Sequence, residues 1–146
     1  MLAFLRPDEW DFPLFLHVFG ALVLFGGVAT VVLFAVVARR NPQHDALMRR
    51  VSFVTLLAAV WPAYIVMRVG AQWIYDKEKP DDSVTWMVIG IAVGDGGAVV
   101  LLGLTALAWL ALRRKPNLFR YFGGLAALYL VALVVAWWAM SAKPGA

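Results

Sequence analysis

A chain of 146 residues with 63% hydrophobic and 15% charged residues carries far less charge than the roughly 25% of an ordinary soluble domain. That balance excludes a self-sufficient soluble domain, and the length leaves little room for a catalytic domain beyond four apolar crossings of about 20 residues each. The net charge of +4 would suggest nucleic acid in a soluble protein, but the basic residues are concentrated in short loops between apolar runs, where they set topology. Cysteine is absent, which excludes disulfides, thiolate metal sites and dithiol redox chemistry.

The chain opens with MLAFLRPDEWD, which holds more acid than base. A secretory signal begins with a basic region, so the first helix is expected to remain as an uncleaved anchor. The first apolar run predicts a helix over about 13–38, with Asp11 as a possible cap and Pro13 suited to a first turn. It stops at Arg39-Arg40, before the polar, basic segment NPQHDALMRR. A second helix is expected over about 46–75, with Asn41-Pro42 able to start it and a kink at Trp61-Pro62. The loop DKEKPDDS follows, and Ser83 can cap a third helix over about 84–112. Arg113-Arg114-Lys115-Pro116 ends that run, and Asn117 opens a fourth over about 117–140. None of the runs alternates as a barrel strand would. The fold class expected is therefore all-α: a single transmembrane domain over 1–146, an up-down antiparallel four-helix bundle in the membrane.

Sidedness follows from Lys and Arg. The connections at 39–50 and 113–120 hold eight of them, and the opposite side holds four (Arg6, Lys77, Lys79 and Lys143) together with seven of the nine acids. Positive charge stays in the cytoplasm, so both termini are expected on the non-cytoplasmic side of a multi-pass protein of the cell membrane, a bacterial inner membrane. Trp10, Trp73, Tyr75, Trp86, Trp137 and Trp138 all fall at the outer boundary, as an aromatic belt should.

Inside the runs, Arg68 lies about 8 residues from the outer end of its helix and Asp95 about 11, roughly 12 and 17 Å deep at the helical rise. Arginine is long enough to bridge that difference, and pairing lowers the cost of either charge in the membrane. Tyr64, Arg68 and Gln72 recur at every fourth residue on one face, and Tyr129 lies at similar depth. These five residues are read as a buried polar network. It either fixes the register of the bundle or forms an outward-facing pocket for a polar group or a proton. Gly20 and Gly27 in helix one, Gly90 and Gly94 in helix three, and Gly123 and Gly124 in helix four are expected to let helices approach closely.

His17 lies about one turn inside helix one and shares a face with Gly20, Leu24 and Gly27. It is either a haem or copper ligand or an interfacial histidine bonded to a neighbouring helix. The other histidine, His44, is in a cytoplasmic loop, so one chain cannot supply both ligands of a bis-histidine haem. The stretch LHVFGALVLFGG, Leu16 to Gly27, resembles the first helix of small bacterial four-helix membrane proteins related to the CopD copper-resistance family. That resemblance implies His17 as a metal or haem ligand, though no second histidine lies within the apolar runs. No nucleotide-binding loop, metalloprotease motif or nucleophile triad is present.

The expected function is a non-catalytic membrane subunit, accessory to a larger complex or self-associating, with the lipid bilayer and other membrane subunits as partners and no nucleic acid. A small proton-coupled transporter using Asp95 and Arg68 is one alternative. A protein binding haem b or copper through His17 is the other, although no cofactor is expected.

Overall fold

The computed structural model describes residues 11–78 and 84–143. All elements among the described residues are helical. Four stretches are long and apolar enough to cross a membrane: Asp11–Arg40, Pro42–Lys77, Thr85–Arg113 and Pro116–Ala142. The first is α1, Asp11–Arg40. The second begins with a 3-10 turn at Pro42–His44 and continues as α2, Asp45–Thr55, a π-helical turn at Leu56–Val60, and α3, Trp61–Glu78. The third is α4, Thr85–Arg113. The fourth is α5, Phe119–Ala142, entered through a 3-10 turn at Pro116–Leu118.

The π-helical turn is the local answer to Pro62. Proline has no N–H, so the carbonyl four residues back loses its donor. The ladder widens just before that point: the Trp61 N–H donates to the Leu56 carbonyl, five residues back. The irregularity expected at Trp61-Pro62 is therefore spread over the preceding turn. At the ends of the helices, Asn41 makes no side-chain cap for the next helix. Its amide donates to Val37 O at 3.4 Å instead, closing the end of α1. Val84 precedes α4 without a side-chain cap, and Ser83 lies outside the described residues. Lys143 ends α5 at a φ of 45°, its N–H bonding Ala139 O in a left-handed cap.

The buried residues repeat at alternating intervals of three and four. They are Gly20, Leu24, Gly27 and Val31 on α1, Gly97, Leu101, Leu104 and Ala108 on α4, and Phe119, Phe122, Ala126 and Tyr129 on α5. This is the seam of helices that pack side by side with interlocking side chains. The opposite faces are equally apolar: Leu22, Val99, Leu128 and Trp137 are exposed. Helices that are apolar on every face have no side fit for water.

α1 lies against α2, α3 and α5, and α4 lies against α5 and α2. The tightest approach is between α1 and α3. A Cβ on Gly20 would stand 2.5 Å from Met67 N, and one on Gly70 would stand 2.5 Å from His17 N. Glycines on opposite helices thus bring the two backbones into direct contact. Gly27 faces Val60, Gly123 faces Ala35, and Gly90 faces the tip of Met140. Gly124 has open space around it, so the structure gives it no helix to receive.

Candidate polar site between the second and third spans

α3 and α4 are joined differently. Their backbones scarcely meet, and three long side chains of α3 cross the gap. Trp61, Tyr64 and Arg68 share a face because they are spaced by three and four residues. The Trp61 indole N–H donates to Thr105 Oγ1 at 3.0 Å, and that hydroxyl donates to Leu101 O at 2.7 Å. The Tyr64 hydroxyl donates to Gly94 O at 2.8 Å. Arg68 Nη2 stands 2.5 Å from Asp95 Oδ1. Gly94 lies close beside the guanidinium: a Cβ there would stand 3.1 Å from Arg68 Nη1.

The ion pair sits on the flank of the bundle and not in its centre. The Asp95 side chain is 57% exposed and that of Arg68 33%. Beside them Gly96 is exposed and has open space. Of the two other groups expected in the same network, Gln72 is turned away from the pair and Tyr129 lies near Tyr64 without bonding to it. Gln72 is exposed, and its amide donates to Asp76 Oδ1 at 2.8 Å, one turn along the same helix. That local pairing competes with any reach toward Arg68. Tyr129 is buried on α5, and its hydroxyl lacks a hydrogen-bond partner among the described residues. A Cβ on Gly97 would lie 2.5 Å from that hydroxyl and 3.2 Å from the Tyr64 ring. Gly97, which sequence reasoning passed over, is therefore the point where α3, α4 and α5 converge.

His17 lies at the glycine-lined contact of α1 and α3, with Nδ1 3.2 Å from Met67 O. Since a carbonyl only accepts, Nδ1 is the donor in this bond. Among the described residues there is no group of three or more His, Cys, Asp or Glu side chains able to hold a metal ion.

A second polar cluster lies where the basic connections meet. Arg49 pairs with Asp45 at 3.1 Å and donates to Ala111 O, in the last turn of α4, at 3.3 Å. A cation there complements the carbonyl end of the helix. Among the described residues, Arg49 Nε and the hydroxyl of the fully buried Ser52 are without partners. The i, i+4 spacing of Asp45 and Arg49 is visible in the sequence, but a count of loop charges assigns Arg49 only a topological part.

No family model matches the chain, no curated protein is detectably similar to it in sequence, and no solved structure matches its fold. Chemically, the flank site offers one carboxylate, one guanidinium and two phenols. These groups can tie helices together, hold a polar group or carry a proton.

Proposed function

We propose that this chain is an integral membrane subunit that works by assembly, with another membrane subunit or with copies of itself, and not by catalysis. It spans the membrane four times in up-down order, with both termini outside the cytoplasm. One observation carries the reading. A charged pair stands half exposed on the side of two apolar helices, beside an exposed glycine with open space around it. A lone charge at mid-membrane costs about 2.5–3.5 kcal/mol on insertion scales. A neighbouring helix seated over Asp95 and Gly96 removes that exposure, and small residues allow its close approach.

Site-directed photo-crosslinkers at Ala92 and Val99 test the reading, with Leu128 on α5 as the control; all three are exposed. The first two are expected to give one stoichiometric adduct in native membranes, either with a second copy or with one partner, and Leu128 none. A chain that purifies alone and gives the same faint adducts from all three positions would overturn the proposal. The transporter reading instead requires proton uptake into vesicles that depends on Asp95. The haem or copper reading requires a metal-linked absorption band lost in His17→Ala, whereas we expect the purified protein to show no Soret band. Sidedness is read from cysteines at Gln43 and Ser141: an impermeant thiol reagent should label only the second in intact cells.

A further inference from the structure

The basic ends of the first and fourth spans enclose a cleft of about 240 Å³. Arg39 comes from the last turn of α1, and Arg120 from the first turn of α5. Asn117 and Asp45 also line it, with Phe119 and Ala38 as apolar walls. Among the described residues neither arginine is paired with a carboxylate. The one acid in the cleft is already engaged, since Asp45 is held by Arg49 at 3.1 Å. Arg120 is steadied by Tyr121, which it meets at 2.7 Å through the hydroxyl and 4.6 Å above the ring. The cleft thus holds two uncompensated cations beside the N-terminal end of a 24-residue helix, the positive end of its dipole.

Its place decides which anion. Apolar walls reach from the buried Ala38 and Phe119 to a rim of arginines, and the exposed Tyr121 stands beside it. A free polar anion gains nothing from those walls. A phosphodiester carrying acyl chains does, because its chains lie along the apolar spans while its phosphate meets the guanidinium groups. We propose that this cleft binds the headgroup of an anionic phospholipid, with Arg39 and Arg120 clamping the phosphate and Asn117 donating to it. The proposal rests on the membrane reading above, but neither on assembly nor on sidedness.

The test is native mass spectrometry of the full chain in mild detergent with phosphatidylglycerol, phosphatidylcholine or inorganic phosphate added. Phosphatidylglycerol is expected to bind one per chain and phosphatidylcholine distinctly more weakly. Losing two basic contacts in R39Q/R120Q should weaken phosphatidylglycerol by about 30-fold. R40Q/R114Q removes the same charge from the same connections outside the cleft and should change binding less than about 2-fold. If the first variant does not fold, R39K/R120K keeps the charge but loses the forked geometry, and about 3-fold weakening is expected. Equal binding of the two lipids, or equal loss in R40Q/R114Q, would overturn the proposal. Displacement of the lipid by equimolar inorganic phosphate would overturn it too, since the ligand would then be a soluble anion. Retention of the chain in alkali-washed membranes checks the membrane reading separately, so failed lipid binding in a retained chain counts against the cleft alone.

Discussion

The contact of α1 with α3 and the contact of α3 with α4 solve the same problem in opposite ways. In the first, Gly20 and Gly70 remove side chains so that backbone meets backbone. In the second, Trp61, Tyr64 and Arg68 reach across a gap to a hydroxyl, a carbonyl and a carboxylate. The first joint has little slack, because main chain faces main chain at both glycines. The second is held by groups with rotamer freedom and stands open on its flank. A rigid joint on one side of α3 and an adaptable one on the other suit a helix that is fixed to its own chain and meets something else with its free edge.

The sharpest way to break the comparison is to put side chains into the rigid joint. Gly20→Val and Gly70→Val each place a Cβ and its methyls against the backbone of the facing helix. Overpacking a core typically costs about 1–3 kcal/mol. Here the obstacle is main chain, so losses at or above the top of that range are expected, read as a collapse of thermal stability in detergent. Gly124→Val is the control, since Gly124 has open space, and it should leave stability unchanged. A tolerated Gly20→Val would mean that α1 and α3 can move apart, and the contrast between the joints would fail.

A smaller effect is expected at the adaptable joint, and it sharpens the contrast. Arg68→Gln and Asp95→Asn each leave one charge alone. If the flank faces water, an exposed pair contributes only about 0–1 kcal/mol. If it is covered or lies in lipid, stranding one charge costs about 3–5 kcal/mol and removing both costs much less. The double variant is therefore expected to recover part of the loss in a thermal-stability cycle. Simple additivity would show that the two residues do not act as a pair. Asp95 would then be free to take up a proton, and the transporter reading would gain.

Sequence alone made the four helices legible, because apolar runs broken by Arg-Arg and by Pro are unambiguous at this length. It also gave the depths of Arg68 and Asp95, by counting residues from the ends of the runs. Depth is a count, whereas the direction in which a side chain points around its helix depends on the tilt and contacts of that helix. That is why the flank position of the pair was not foreseen. Gln72 was grouped with Arg68 because they share a face, but Asp76 on the next turn is the nearer acceptor. Gly70 and Gly97 were missed for a different reason. A glycine in an apolar helix carries no mark of which neighbour it receives, so Gly124, which receives none, looked the same as Gly123, which faces Ala35.

The smallest expected effect concerns a buried phenol that belongs to neither joint. Tyr129 is 4% exposed, and its hydroxyl, held against Gly97, lacks a partner among the described residues. A buried hydroxyl with no hydrogen bond carries a desolvation penalty of about 1–3 kcal/mol. Tyr129→Phe deletes the hydroxyl and leaves the ring, so it is expected to be neutral or stabilising by up to about 1 kcal/mol. The opposite sign would be more informative. A loss above about 1 kcal/mol would mean that the hydroxyl holds a water or a ligand in the native state. The polar groups between α3, α4 and α5 would then form an occupied site and not only a set of ties between helices. Tyr64→Phe supplies the calibration, because its hydroxyl does have a partner in Gly94 O. Removing it should destabilise by about 1 kcal/mol and leave that carbonyl without its donor. If the two substitutions behave alike, the unpartnered state of Tyr129 has no energetic consequence.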